Sequence, residues 1–382
     1  MSEIDFASAA LIDEAQAQAG LEDFGDARFH EGLEVLLETL DRHVKDDEFR
    51  AKQREMQLNR LVTRLQIQAA FSAHPEIEAE DILRPMVVTG LPRSGTSALF
   101  NLLDADPDAR GLLMWEAVFP QPNEELAPGE IDPRYSMIKD YFEENRDADF
   151  QKIHFSSADT PEECCVLQVY SFDGVQTGWE ILLEPYCSWF KQHDMSFLYE
   201  EHRRHLQLLQ WQRPGTRWLL KAPAHMWALP QLAAVFPDLC LVWGHREPLA
   251  VTASIASMTE ALHIMNAGAL DEAQTHALGR GVMDWYASSL ERGLRDREAL
   301  PASAIFDYGF DDFVADPRAT IEGIYSHFGL PLGAATEAAL LEHMAENAKG
   351  KHGKHEYDLA HFGLSEALVH ERFKFYMDNP LI

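Results

Sequence analysis

Residues 86–103 read MVVTGLPRSGTSALFNLL and change character twice along their length. Met86, Val87 and Val88 form a short apolar run that is typical of a buried strand. Gly90 and Gly95 frame a turn, and apolar residues then recur at the spacing of a helix. Such a unit directs backbone N–H groups and the positive end of a helix toward an anion. The stretch therefore predicts a phosphate-binding loop over residues 90–97.

The loop differs from the nucleoside-triphosphate loop GxxxxGK[ST] at one decisive position. Gly90, Gly95 and Ser97 match that pattern, but Thr96 stands where the lysine should be. A kinase needs this lysine to bridge the β- and γ-phosphates of its nucleotide. The cation of this loop is Arg93, inside the turn. The substitution favours an anion with fewer phosphoryl groups and no obligatory metal, and leaves a kinase-like phosphotransferase as the alternative.

The rest of the chain predicts strands that alternate with helices. Apolar runs at 218–220, 239–243 and 304–308 are candidate strands, and helical patterns follow the first two. Alternation of this kind indicates a parallel α/β sheet whose polar residues gather at the carboxyl ends of the strands. We expect residues 1–80 to form an N-terminal helical cap and residues 81–382 to form the catalytic domain. Within it, residues 115–215 predict a largely helical, aromatic-rich insertion at the acceptor site.

The net charge of the chain restricts the kinds of molecule that we expect it to bind. Thirty-two basic and 63 acidic residues give a formal net charge of −31. A field of this sign repels nucleic-acid phosphates and anionic membrane surfaces, so we expect a small-molecule partner. No apolar run reaches the length of a membrane span, about 18 residues. The N-terminus lacks a signal-peptide pattern, and the four cysteines lack metal-binding spacing. These features predict a cytoplasmic protein that requires no metal.

Three motifs, in order, resemble those of sulfotransferases that use 3'-phosphoadenosine-5'-phosphosulfate (PAPS). Residues 90–97 resemble the 5'-phosphosulfate loop, especially the PRSGT[ST] form of bacterial enzymes and tyrosylprotein sulfotransferases. Residues 245–248, HREP, followed by Ser254, are similar to the 3'-phosphate element of that family. Residues 218–225, WLLKAPAH, are similar to a strand end that lies between those two elements. The resemblance implies a P-loop kinase-like fold and in-line transfer of a sulfuryl group to a hydroxyl of a small, partly apolar acceptor.

The resemblance also assigns roles to individual residues. Arg93 and Lys221 would supply positive charge where the nucleotide bisphosphate leaves. Arg246 and Ser254 would hold the 3'-phosphate, because an arginine at a strand end and a serine two turns into the next helix can reach one phosphate. The cradle of the phosphosulfate group would comprise Arg93, Ser94, Gly95, Thr96 and Ser97.

The general base has several candidates. The position of Glu116 resembles that of the catalytic glutamate of the tyrosylprotein enzymes, with a small length difference in the intervening loop. Apolar surroundings beside Trp115 would raise the pKa of the Glu116 carboxyl group. His154 is the competing candidate, since other sulfotransferases use histidine. Residues 159–164 look like a helix start capped by Asp159 or Thr160, although Glu162 or Glu163 could instead lie near the acceptor. Finally, Lys351 belongs to a basic segment, residues 349–355, that could close over the 3'-phosphate.

Overall fold

A single parallel sheet organises the chain. The computed structural model describes residues 4–127, 129–145, 155–176, 178–346 and 358–381. Within these ranges the sheet has five strands: β1 (Met86–Gly90), β2 (Ala109–Gly111), β3 (Arg217–Lys221), β4 (Cys240–His245) and β5 (Ile305–Gly309). Their order is β2-β3-β1-β4-β5, and every pairing is parallel. The predicted strands are confirmed. The edge strand β2 was missed because three residues, Ala-Arg-Gly, carry no apolar pattern.

The position of β1 between β3 and β4 brings the three motifs together. The loop after β1, the end of β3 and the end of β4 all emerge at the carboxyl edge of the sheet. Gly90 pairs with Gly244 at that edge, and its φ of 136° suits only glycine. A Cβ atom on Gly90 would lie 2.3 Å from the carbonyl oxygen of Gly244. The close approach of the two strands therefore requires glycine at the start of the loop.

Helices cover both faces of the sheet and form most of the remaining chain. Within the described residues, none of them is long and apolar enough to cross a membrane. The α-helices are α1 (Ser8–Ala19), α2 (Phe29–His43), α3 (Asp47–Ala73), α4 (Thr96–Asp104), α5 (Met114–Val118), α6 (Pro133–Glu144), α7 (Cys164–Gln168), α8 (Tyr186–Gln192), α9 (Ser196–Gln212), α10 (Leu229–Val235), α11 (Pro248–Ala267), α12 (Glu272–Asp296), α13 (Phe310–Ala315), α14 (Pro317–Phe328), α15 (Ala334–Glu346) and α16 (Glu366–Arg372). Short 3₁₀ helices span Pro75–Ala79, Val169–Ser171, Glu180–Leu182, Pro223–Trp227, Arg297–Ala299, Ala302–Ala304 and Ala360–Phe362.

The predicted helical region at the N-terminus packs directly on the rest of the protein. Apolar residues of α2 and α3 belong to one continuous core with residues of the insertion and of the sheet. Arg64 on α3 is buried and donates to the carboxylate of Glu201 on α9 at 2.6 Å and to the carbonyl of Tyr170 at 3.0 Å. Removing either partner of this buried ion pair would leave an uncompensated charge. The pair therefore holds α3 against α9. The domain boundary near residue 80 stays a prediction.

Three buried histidines predict that acid destabilises the fold. His202 and His205 lie on α9, and His225 lies in the 3₁₀ helix after β3. Burial lowers the pKa of His205 to about 4 and that of His225 to about 3, and it lowers the pKa of His202 strongly. The unfolded chain therefore takes up more protons than the folded protein below the ordinary histidine value of 6.5. The stability that these neutral histidines contribute should be fully present above pH 6.5 and should decrease progressively as the pH falls below that value.

We expect His205→Gln to reduce this dependence. We expect His205 alone to contribute a loss of about 3 kcal/mol of unfolding free energy as the pH falls from about 6.5 to about 4. Urea unfolding of wild type and variant at several pH values in this range measures the difference. Parallel curves for the two proteins would contradict the prediction.

Candidate functional site

A large cleft opens at the carboxyl edge of the sheet, where the three motifs meet. Its volume is about 2790 Å³, whereas ordinary ligand pockets measure roughly 300–1,000 Å³. One end of the cleft is lined by residues of the glycine loop together with Lys221 and Arg246. Other walls include residues of α3, α6, α11 and α12. The cleft is large enough to hold two ligands side by side.

The glycine loop turns through two left-handed positions that are separated by one residue. Arg93 has φ 67° and Gly95 has φ 80°, and α4 begins at the next residue. A non-glycine residue in this conformation stores backbone strain of a kind that clusters at ligand sites. Ser94 is buried, and its hydroxyl donates to the carbonyl of Leu91 at 2.6 Å. Ser94 therefore shapes the turn, whereas Gly95, Thr96 and Ser97 line the cleft.

Lys221 links the end of β3 to this loop. Its side chain is buried, and its Nζ donates to the hydroxyl of Ser97 at 2.9 Å. The same ammonium group makes an ion pair with the carboxylate of Glu163. The position of a lysine at a strand end beside the loop is as the sequence predicts. A buried cation therefore lies beside the first turn of α4.

Arg246 contacts the other side of the loop, and Ser254 lies on α11, the helix that follows it. Ser254 is not among the residues that line the cleft. The Nη1 atom of Arg246 donates to the carbonyl of Arg93 at 2.5 Å, and its guanidinium lies 3.7 Å from the ring centroid of Phe310. Burial lowers the pKa of Arg246, although the carboxylate of Asp311 opposes this effect. Ser254 on α11 is buried, and its hydroxyl has no hydrogen-bond partner among the described residues. An unpartnered buried hydroxyl of this kind suits a ligand oxygen.

The segment after α16 supports the end of β4, which the sequence did not indicate. Tyr376 contacts the Nδ1 atom of His245 through its hydroxyl at 2.6 Å, and the same hydroxyl accepts the backbone N–H of Arg246. The other ring nitrogen of His245 lies 2.7 Å from the carboxylate of Asp307, which Arg297 also binds through two hydrogen bonds. Burial raises the pKa of Asp307, but these hydrogen bonds prevail and lower it to about 2. The backbone that carries Arg246 is thus fixed by a buried network.

Glu116 lies in surroundings that differ from the expected ones. Its carboxylate is buried between two guanidinium groups, those of Arg110 at 3.2 Å and of Arg213 at 2.7 and 3.0 Å. It also accepts the backbone N–H of Leu113 and so caps α5. The expectation of apolar surroundings is therefore wrong, and Glu116 does not line the cleft. The local sequence does not reveal this arrangement, because Arg213 lies 97 residues away from Glu116 along the chain.

Two predicted site residues lie outside the described residues: His154 and Lys351, the latter with the basic segment 349–355. The predicted helix start near Thr160 is wrong. The helix α7 begins at Cys164, and Glu163 is its N-cap. The residues before it run beside the end of β2, where Pro161 forms an antiparallel bridge with Leu113. This extended path brings Glu163 to the cleft.

Several residues that line the cleft were missed by the sequence analysis. Those on α3 lie at intervals of three or four along the helix, as on any amphipathic helix, so nothing marked them as ligand-facing. Asp104, at the end of α4, also lines the cleft, and burial raises the pKa of its carboxyl group. The missed residues of α3 are Lys52, Glu55, Met56, Asn59, Arg60, Val62, Thr63 and Gln66.

Comparisons with known proteins agree with this geometry. The model of the Sulfotransferase family matches residues 85–334. The structure of sulfotransferase STF1 from Mycobacterium tuberculosis H37Rv is 32% identical with a TM-score of 0.83, and the match covers 97% of this chain and 99% of that one. The structure of sulfotransferase STF9 from Mycobacterium avium is 30% identical with a TM-score of 0.86, over 98% of this chain and 96% of that one. These matches confirm the predicted P-loop kinase-like α/β fold.

A curated relative matches over a shorter segment. It is the omega-hydroxy-beta-dihydromenaquinone-9 sulfotransferase Stf3 of Mycobacterium bovis, 23% identical over 133 residues. The match covers 35% of this chain, and the chain spans about a third of the relative's length, 34%.

Proposed function

The chain belongs to the sulfotransferase family, and we propose that it transfers a sulfuryl group from PAPS to a hydroxyl of a small, partly apolar acceptor. One observation carries the proposal: three strand ends place Ser97, Lys221 and Arg246 around one end of a single cleft. The walls at the other end include apolar side chains from three helices, such as Met56, Ile138 and Met258. The curated relative is named for a menaquinone derivative, and these walls support an acceptor that is likewise apolar.

The residues around the loop fit the donor at both of its charged ends. Gly95, Thr96 and Ser97 would hold the 5'-phosphosulfate at the N-terminus of α4, where backbone N–H groups and the helix dipole favour an anion. Arg246 and the unpartnered hydroxyl of Ser254 would hold the 3'-phosphate. Thr96 at the position of the kinase lysine disfavours the alternative, a phosphotransferase that uses a nucleoside triphosphate.

The proposed reaction is in-line attack of the acceptor oxygen on sulfur. Negative charge grows on the oxygen that bridges sulfur and phosphorus as the bond between sulfur and that oxygen breaks. Lys221 and Arg93 would stabilise this charge, with Ser97 orienting the ammonium group of Lys221 at 2.9 Å. The low-dielectric surroundings of a buried lysine strengthen its interaction with the developing charge.

Calorimetry with nucleotides tests donor recognition. We expect 3',5'-bisphosphoadenosine to bind about 30-fold more tightly than AMP, because charged hydrogen bonds to the 3'-phosphate contribute about 2 kcal/mol. ATP with magnesium should bind more weakly than the bisphosphate. Tighter binding of ATP with magnesium would instead support the phosphotransferase.

Transfer itself is tested with labelled PAPS and a panel of phenols, sterols, long-chain alcohols and quinols, read by mass spectrometry. Sulfated product is the expected outcome for the apolar members of the panel. Absence of transfer to every hydroxyl in the panel would count against the proposed function.

A further inference from the structure

One carboxylate faces the reacting end of the cleft. Glu163 lines the cleft, and its side chain is 20% exposed. The backbone before it is fixed, because Glu162 donates its N–H to the carbonyl of Leu112 at 2.7 Å and Pro161 forms a bridge with Leu113. Glu163 therefore projects from a rigid segment rather than from a free loop.

The contacts of Glu163 connect it to the donor loop through a single cation. Lys221 bonds to the Oε1 atom of Glu163 and to the hydroxyl of Ser97 with the same ammonium group. Only two hydrogen bonds therefore separate the carboxylate from the first turn of α4. Among the described residues, the Oε2 atom of Glu163 contacts only a weak donor, the thiol of Cys165 at 3.9 Å. This oxygen can accept a further, stronger hydrogen bond.

Three other acidic residues near the cleft or its walls use their oxygens for structure. Glu162 accepts the hydroxyl of Ser156 at 2.7 Å and the N–H of Glu163 at 2.9 Å. Asp104 accepts the N–H of Gly111 at 3.0 Å and so ties α4 to β2. Glu116 is enclosed by its two arginines, away from the cleft wall. Of these carboxylates, Glu163 is the one that contacts the cation beside the loop.

On the basis of the proposed function, we propose that Glu163 is the general base of sulfuryl transfer. An Oε atom of Glu163 accepts the proton of the acceptor hydroxyl while the acceptor oxygen forms its bond to sulfur. The bond from sulfur to the bridging oxygen of PAPS breaks, and its electron pair goes to that oxygen of the departing 3',5'-bisphosphoadenosine. Lys221 moves from the carboxylate to the bridging oxygen, so the proton acceptor and the leaving-group cation act as a pair.

The charged and titratable groups around Glu163 come from four elements. Lys221 of β3 faces it directly, and Cys165 of α7 lies beside Oε2. The phenol of Tyr286 on α12 lies within electrostatic range, and burial, followed by the charge of Glu163, raises the pKa of this phenol. Glu162 is the adjacent carboxylate on the same segment. Lys221 is the cation in this set, and it contacts the carboxylate directly.

The substitution Glu163→Gln tests the proposal with two acceptors of different acidity. Phenol, whose pKa is about 10, needs a base at neutral pH. 4-Nitrophenol is about half ionised at neutral pH and depends far less on a base. We expect the variant to lose about 100-fold in kcat/KM for phenol and less than about tenfold for 4-nitrophenol. The acid limb of the pH profile for phenol, which reports ionisation of the base, should disappear.

The pattern of losses separates a base from a residue that only positions Lys221. Equal losses with both acceptors would overturn the proposal, because a displaced Lys221 impairs departure of the bisphosphate whatever the acceptor. Wild-type rates in the variant would overturn it as well. Loss of the acid limb in Glu116→Gln instead, with Glu163→Gln unaffected, would assign the base to Glu116. Calorimetry of 3',5'-bisphosphoadenosine with each variant shows that the donor site is intact, which distinguishes these outcomes from failure of the proposed function.

Discussion

Lys221→Met is expected to lower kcat about 1,000-fold, because loss of one preorganised donor to developing charge costs roughly 4 kcal/mol. Lys221 is buried between Ser97 and Glu163, so water cannot readily replace its ammonium group. Methionine keeps the unbranched apolar chain and removes only the charge. The affinity for 3',5'-bisphosphoadenosine should change less than about tenfold, since the cation acts mainly on charge that develops during transfer.

Single-turnover rates at saturating PAPS measure this effect directly, and thermal unfolding verifies that the variant is folded. Lys191→Met is the matched control. The ammonium group of Lys191 pairs with Asp284 at 3.0 Å in an exposed ion pair, and its removal should leave the rate unchanged. An unchanged rate in Lys221→Met would exclude Lys221 from the reaction.

Arg246→Ala is expected to weaken binding of 3',5'-bisphosphoadenosine about 30-fold, because the charged hydrogen bonds to the 3'-phosphate that it removes contribute about 2 kcal/mol. Arg246 is oriented by the carbonyl of Arg93 and by the ring of Phe310. The backbone that carries it is fixed by Tyr376. The guanidinium therefore needs little ordering when the 3'-phosphate binds.

A second nucleotide, AMP, serves as the control ligand for Arg246→Ala. AMP lacks the 3'-phosphate, so Arg246→Ala should change its affinity less than about threefold, within the usual variation of distant substitutions. Arg295→Ala, at an exposed arginine that pairs with Asp296, controls for the loss of one positive charge. Equal weakening of AMP and of the bisphosphate would show that Arg246 supports the loop rather than the 3'-phosphate.

The sequence was sufficient for four of the five strands and for one end of the cleft. Met86–Gly90 and its neighbours are buried on both faces, so each strand is a continuous apolar run that can be recognised locally. Each run ends in polar residues, and the parallel arrangement then brings Lys221 and Arg246 to the same edge. The local sequence pattern and the sheet topology therefore both predict this end of the cleft.

The rest of the site depends on contacts between residues far apart in the chain. Glu116 is separated by 97 residues from Arg213, which shares its carboxylate. Tyr376 reaches His245 across 131 residues. Nothing in the composition near Glu116 or His245 indicates these partners, because an ion pair or a buried hydrogen bond leaves no periodic signal. Glu163 was considered only as one of two acids at a helix start, since its extended path beside β2 is also a tertiary effect.

The contact between Tyr376 and the backbone of Arg246 has a consequence for synthesis of the protein. A ribosome completes the glycine loop, Lys221 and Arg246 well before residue 376 emerges. The nascent chain can therefore assemble the sheet while the support of Arg246 is still absent. Competence to bind a nucleotide should then arise only after the segment that carries Tyr376 has been synthesised and has packed against the end of β4.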